Sequence, residues 1–161
     1  MGYEPTKEEK IKTGWEWLDS RLDGGFLEQG RSLYIFAGPT NVGKSIFLSN
    51  VASNAAAQGK NVLVISLEMS ELMYAKRIST NVTQIPIGDL NASADMVKRK
   101  VVSYKESHPE SKLIVKEFPP NAITASQLSA YLQKLIHKGI KPDMVVLFEP
   151  CVDDGLRLSD C

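Results

Sequence analysis

The chain has 161 residues, enough for one domain of ordinary size. Hydrophobic residues make up 43% and charged residues 24%, which is typical of a soluble globular protein and excludes a disordered one. Nineteen basic residues balance nineteen acidic ones, so a nucleic-acid coat protein dominated by basic charge is excluded as well. No apolar run approaches the roughly 18 residues of a membrane span, and the start lacks the apolar stretch of a signal peptide. We therefore expect a cytoplasmic protein with no membrane partner.

The first half of the chain predicts a strand, a loop, a helix and a second strand. Residues 32–37 (SLYIFA) are a short apolar run that is typical of a strand. Residues 45–57 place Ile46, Phe47, Val51 and Ala55 at helical spacing, and Gly59 follows as a C-terminal cap. Residues 61–66 (NVLVIS) predict a second, buried strand. A helix over 70–80 should follow it, with Ser70 as its N-cap.

The second half repeats this alternation. Helices are predicted over 94–107 and 124–138, and strands over 112–118 and 143–148. The apolar side of the last helix is formed by Leu128, Leu132, Leu135 and Ile136. Strands separated by helical crossovers predict an α/β fold, a parallel sheet with helices on its faces.

The strongest functional signal is an eight-residue segment that satisfies the phosphate-loop pattern G-x-x-x-x-G-K-[ST] between a predicted strand and a predicted helix. Glycines let the backbone approach a phosphate, and successive N–H groups with the helix N-terminus surround the anion. The lysine would neutralise phosphate charge and the serine hydroxyl would ligate Mg²⁺. The pattern therefore predicts a nucleotide site built by Gly38, Pro39, Thr40, Asn41, Val42, Gly43, Lys44 and Ser45.

A carboxylate follows the second predicted strand. Ser66-Leu67-Glu68-Met69-Ser70 places Glu68 at the carboxyl edge of the sheet, where open α/β sheets bind ligands. If this strand lies beside the phosphate-loop strand, Glu68 could face the γ-phosphate and activate water as a general base. Alternatively, Glu68 only complements the dipole of the next helix.

Further motifs flank the phosphate loop. They are Thr13-Gly14, Leu18-Asp19, Gly24-Gly25, SLEMS at 66–70, and Ala75-Lys76-Arg77-Ile78. With the loop, they resemble the RecA-like P-loop ATPase domain of hexameric replicative DNA helicases, the DnaB-like family, and look most like the helicases of T-even-type bacteriophages. The resemblance covers roughly residues 13–146.

This resemblance implies an ATP-driven motor that acts as a homo-hexamer, translocates on single-stranded DNA and unwinds the duplex ahead of it. Lys44 and Ser45 carry over as contacts to phosphate and Mg²⁺, and Glu68 carries over as the catalytic carboxylate. ATP and Mg²⁺ are the implied cofactors, and replication proteins are the implied partners in the full-length protein. For a phage protein, the location is the cytoplasm of the bacterial host.

The chain departs from the family pattern near its end. The family's last strand here should end in an aspartate that holds Mg²⁺ through water, but that position is Phe148. Glu149 comes one residue late and so faces the other side of a strand, and Pro150 prevents the strand from continuing. Residues 1–150 are therefore interpreted as a partial ATPase domain, incomplete at its C-terminus, and 151–161 as an unmatched tail. A divergent site using Glu149 or Asp153 remains the alternative.

Other functions compete with a helicase motor. A RecA-like recombinase or clock-type ATPase shares the phosphate loop and the carboxylate after the second strand. A nucleotide-binding module without turnover is favoured by Phe148, and we expect this chain alone to be inactive as a helicase. Arg77 is either a sensor of nucleotide or a solvated helix residue. The basic run Lys98-Arg99-Lys100 is a candidate DNA contact, although charge runs on helices are usually solvated.

Overall fold

A three-stranded parallel sheet lies at the centre of the molecule. The computed structural model describes residues 9–29, 32–39, 41–119 and 123–148. The strands are β3 (Val62–Ser66), β4 (Leu113–Glu117) and β5 (Met144–Phe148), in the order β4-β3-β5. Val64 pairs with Val115 on one side and Val146 on the other. All five residues of β3 are buried, as expected for the central strand of a parallel sheet.

Helices cover both faces of this sheet. They are α2 (Lys44–Ala57), α3 (Glu71–Thr83), α4 (Ala94–Ser107) and α5 (Ala125–His137), with a single 3₁₀ turn at Ile87–Asp89. Residues of α2 and α3 form one core with Val62, Val64, Val146 and Phe148. Leu135 of α5 forms a second core with Leu63 and Ile65 on the opposite face. The predicted α/β architecture, a parallel sheet flanked by helices, is therefore confirmed.

A short hairpin and helix precede the sheet, and the sequence analysis predicted neither. Strands β1 (Lys10–Ile11) and β2 (Phe26–Leu27) pair antiparallel around α1 (Glu16–Arg21). Ile11 and Phe26 are buried in the α2 core, so the hairpin closes that side of the molecule. Two-residue strands leave too little alternation in the sequence to be recognised.

The predicted strand over 32–37 does not join the sheet. Within the described residues, this segment carries no strand pairing, and β3 has β4 and β5 on its two edges. Tyr34 and Phe36 pack on the α2 core while Leu33 and Ile35 are exposed. That alternation is what an extended chain with one covered face produces. The apolar pattern of the segment matches its alternating burial, but the described residues 32–37 are not paired as a strand.

Helix boundaries agree closely with the predictions. Helix α2 begins one residue early, α3 runs three residues longer, and α5 is one residue shorter at each end. Ser70 is the N-cap of α3 as predicted, with its Oγ accepting from the Met73 N–H at 3.3 Å. The predicted apolar sides of α2 and α5 were partly wrong, because Ile46 and Ile136 are exposed. No helix in the described part of the chain has the length and apolar character to cross a membrane.

Candidate nucleotide site

The phosphate-loop segment leads directly into α2. Asn41 and Gly43 both have positive φ, 64° and 91°, and Gly43 is the left-handed N-cap residue of the helix. No side chain caps this helix end and no acidic residue occupies its first turn. The first N–H groups of an α-helix have no acceptor within the helix. The start of α2 therefore presents unneutralised amide donors, which favour an anion.

Lys44 lies inside the loop that it follows. Its Nζ donates to the carbonyl oxygens of Gly38 and Pro39, at 2.7 and 2.8 Å. These contacts curl the loop around the ammonium group and place a positive charge beside the helix N-terminus. The ammonium keeps hydrogen-bonding capacity for a third acceptor.

Ser45 is joined to α3 through its hydroxyl group. The Arg77 guanidinium Nη1 donates to Ser45 Oγ, across 32 positions of the sequence. One turn further along both helices, Asn81 Nδ2 donates to Asn50 Oδ1 at 2.6 Å. These two contacts tie α3 to α2 and aim Arg77 at the phosphate loop. Arg77 therefore contacts the phosphate-loop segment, a contact that its place on a helix could not reveal from the sequence.

Glu68 lies in the turn between β3 and α3. Ser66 Oγ accepts from the Met69 N–H at 2.9 Å and closes this turn, while the Glu68 side chain is exposed. The condition under which Glu68 would face the γ-phosphate directly, β3 lying beside the phosphate-loop segment, is not met, because β4 and β5 occupy both edges of β3. Tyr74 and Arg77 follow Glu68 along the chain, on α3.

Tyr74 is a buried side chain that the sequence analysis did not single out. Its ring packs edge-on against Phe148, with centroids 6.1 Å apart, and its hydroxyl has no hydrogen-bond partner among the described residues. Burial raises the pKa of Tyr74 well above its ordinary value, the Arg77 guanidinium lowers it, and the Glu68 carboxylate raises it further.

Phe148 occupies the position at which the family pattern expects an aspartate. It pairs with Ser66 at the carboxyl end of the sheet and is 6% exposed. Its side chain belongs to the core that α2 and α3 form, so this position faces the same side of the sheet as the phosphate loop. An aromatic ring there packs and supplies no metal ligand.

The Thr13-Gly14 motif has a structural role. The Thr13 N–H donates to Asp19 Oδ1 at 2.7 Å, and its carbonyl accepts from Asn54 Nδ2 of α2 at 2.8 Å. Trp15 next to it stacks on Phe47, with ring centroids 4.8 Å apart. This motif fastens the N-terminal segment to the helix that carries Lys44 and Ser45.

The basic run on α4 is exposed along its length. Lys100 Nζ donates to the carbonyl oxygen of Thr83 at 2.7 Å and so satisfies the C-terminal end of α3. That contact gives Lys100 a structural task, while Lys98 and Arg99 stay in solvent. Thr40, Glu149 and Asp153, together with the tail 151–161, lie outside the described residues.

A parallel sheet with helices on both faces, joined to a glycine-containing loop at a helix N-terminus, defines an α/β protein of the P-loop class. The chain belongs to the family described as the DnaB-like helicase C terminal domain, whose model matches residues 10–148. That membership makes its fold RecA-like.

Three relatives show where the similarity lies. A DnaB-like replicative helicase of Enterobacteria phage T4 is 31% identical over 132 residues, 80% of this chain and 28% of that protein. The replicative DNA helicase DnaB of Nostoc is 31% identical over 147 residues, 85% of this chain and 16% of that protein. The DNA repair protein RadA of Campylobacter jejuni is 43% identical over 67 residues, 40% of this chain and 15% of that protein. The chain thus spans less than a third of each relative.

Proposed function

We propose that this chain is the ATP-binding portion of a replicative DNA helicase motor, with the nucleotide phosphates held at the start of α2. The observation that carries the proposal is the Lys44 ammonium, which lies 2.7 Å from the Gly38 carbonyl oxygen, beside helix amides that lack an acceptor. A cation and a set of backbone donors at one place favour a polyphosphate. Membership in the helicase family supports ATP as the nucleotide to which this polyphosphate belongs.

The residues present fit a nucleotide with its magnesium ion. Gly38 and Gly43 bring backbone close to the phosphates, with Pro39, Thr40, Asn41 and Val42 between them. Lys44 would contact the β- and γ-phosphates, and the Ser45 hydroxyl oxygen is the kind of hard ligand that Mg²⁺ takes. When bound, Mg²⁺ supplies neutralisation of the phosphate charge.

Glu68 is proposed as the general base of hydrolysis. Its carboxylate is exposed and can accept a proton from water, and its charge raises the pKa of Tyr74 while that of Arg77 lowers it. Arg77 in turn contacts the Ser45 hydroxyl. The position of Glu68 directly after β3, at the carboxyl end of the sheet, supports a place for it near the reacting phosphate.

The wider function rests on the family. The relatives from phage T4 and Nostoc are named replicative helicases. We propose that the full-length protein is likewise a replicative helicase. It would form a homo-hexameric ring on single-stranded DNA, couple ATP hydrolysis to translocation and unwinding, and act together with replication proteins.

Calorimetric titration tests the binding step. Lys44→Ala should lower the affinity for ATP with Mg²⁺ by at least tenfold, because a charge-assisted hydrogen bond contributes about 1.5–3 kcal/mol. Lys105→Ala, an exposed lysine on α4, is the matched control and should bind as the parent chain does. Equal affinity of all three proteins would refute the assignment of this loop.

Phe148 favours a second candidate, a nucleotide-binding module without turnover. Its buried ring stands where a metal-holding carboxylate is expected. Under this candidate the chain binds ATP with Mg²⁺ and releases it unchanged. A radiolabelled-ATP assay separates the two: slow basal hydrolysis, well below about 1 s⁻¹, that Glu68→Gln removes supports the motor portion, and no hydrolysis above background supports the module without turnover.

A further inference from the structure

Two cations are candidates for the same oxygen atom at the start of α2. Ser45 Oγ accepts a hydrogen bond from the Arg77 guanidinium, and the proposed function assigns that oxygen to Mg²⁺. A magnesium–oxygen contact is about 2.1 Å and a guanidinium hydrogen bond about 2.9 Å, so the two positive charges would lie at most about 5 Å apart. Arginine cannot relieve the repulsion by losing a proton, because it is charged at every accessible pH.

We propose that Arg77 is a positioning residue that exchanges with the divalent cation at the Ser45 hydroxyl, and so determines how strongly nucleotide binding depends on Mg²⁺. The inference rests on the proposed function and deepens it. In the absence of the metal, the guanidinium stands beside the phosphate oxygens as a substitute cation. When Mg²⁺ binds, Arg77 leaves Ser45.

The surroundings of Arg77 supply a destination for the displaced guanidinium. The Tyr74 hydroxyl is buried, lacks a hydrogen-bond partner among the described residues, and can accept from an N–H donor. The Glu68 carboxylate, whose charge raises the pKa of Tyr74, carries the charge that a guanidinium pairs with. Tyr74 and Arg77 are three residues apart on α3 and so lie on neighbouring positions of the helix surface. A rotation of the Arg77 side chain away from Ser45 would therefore bring the guanidinium toward the Tyr74 oxygen.

The anchoring of α3 allows such a rotation without moving the helix. Asn81 remains bonded to Asn50 at 2.6 Å, and Ser70 caps the N-terminus of α3, so the helix is held at both ends. Only the long arginine side chain has to move, on the timescale of a rotamer change.

The test compares the dissociation constant of a non-hydrolysable ATP analogue in EDTA with that in excess MgCl₂. For the parent chain, the dissociation constant in EDTA divided by that in MgCl₂ measures how strongly binding depends on Mg²⁺. Arg77→Ala should weaken binding about tenfold in EDTA, the effect of one lost charge-assisted contact, and change it less than threefold with Mg²⁺. The ratio therefore rises.

Matched variants separate this role from a general effect of charge or folding. Lys76→Ala removes the same charge from the preceding position of α3 and should leave the ratio unchanged. Arg77→Gln, which removes the charge but keeps a polar end and most of the aliphatic stem, should give the same rise if Arg77→Ala folds poorly by circular dichroism. In a Ser45→Ala background, replacing Arg77 should no longer alter the ratio, because the shared oxygen is gone.

An equal loss of affinity for Arg77→Ala with and without Mg²⁺ would overturn this inference, since a merely structural arginine acts on both constants alike. A rise of the ratio in Lys76→Ala as large as in Arg77→Ala would also overturn it. A parent chain that binds the analogue in neither condition refutes the proposed function itself, and the inference with it.

Discussion

The side-chain amide of Asn54 donates to the Thr13 carbonyl oxygen at 2.8 Å and fills the space that a side chain on Gly14 would need. A Cβ placed on Gly14 would lie 2.0 Å from Asn54 Nδ2, and Gly14 has φ +95°. This close approach locks the N-terminal segment onto the helix that begins with Lys44. The motif at 13–14 therefore supports the nucleotide site indirectly, by holding the N-terminal segment on α2, and not by contacting a ligand.

We expect Gly14→Ala to lower the free energy of unfolding by about 2–4 kcal/mol, because it adds an overlap to a strained backbone. Gly59→Ala is the control: Gly59 has φ +82° but nothing within 4 Å of an added Cβ. It should cost only the backbone strain, about 1 kcal/mol. Urea denaturation measures both, and equal losses would contradict the packing argument.

Glu68→Gln tests the general base. We expect the affinity for ATP to stay within twofold of the parent, because the amide has the same shape, while basal hydrolysis falls at least tenfold. Turnover of this chain alone should lie well below the roughly 1 s⁻¹ typical of slow enzymes, so a radiolabelled assay is needed. Glu71→Gln, the same exchange in the next helix, should hydrolyse at the parent rate. Parent-level hydrolysis by Glu68→Gln would make Glu68 a structural residue.

The Glu71–Lys116 ion pair, 2.9 Å long, predicts a pH dependence of stability. The Glu117 N–H and the Lys116 ammonium lower the pKa of Glu71 below 4.5, so its contribution is complete above that pH and is lost as the pH falls through the lowered value. Glu71→Gln should therefore be less stable than the parent at pH 7, by under about 1 kcal/mol for so exposed a pair. This difference should shrink at pH 3 in urea melts. A constant difference would show that the ion pair contributes nothing.

The outer edge of β5 predicts self-association. No strand in the described ranges pairs with this edge, and Val145 and Leu147 are 43% and 46% exposed. An apolar, unpaired edge strand is a template for contact between copies. Leu147→Lys should reduce concentration-dependent light scattering, while Leu72→Lys, an exposed leucine on α3, should not. Equal scattering by both variants would exclude this edge as the contact.

Local signals in the sequence predicted the helices well and the site only in part. Ser70 and Gly59 mark helix ends by chemistry that acts over a few residues, so their roles could be read directly. Strand pairing at 32–37 depends on a neighbour that no local pattern reports. The Arg77–Ser45 contact joins residues 32 positions apart, and Tyr74 is recognised only once its burial against Phe148 is known.

An amide chemical-shift map by NMR, recorded while ATP with Mg²⁺ is added, tests the central claim most directly. We expect the largest shifts at the N–H groups of Gly43, Lys44, Ser45 and Ile46, where α2 begins, and none along α5 on the opposite face of the sheet. The same titration of Lys44→Ala should leave the chemical shifts of these amides nearly unchanged. Unchanged amides in the parent chain, or larger shifts elsewhere, would contradict a phosphate site at the start of α2.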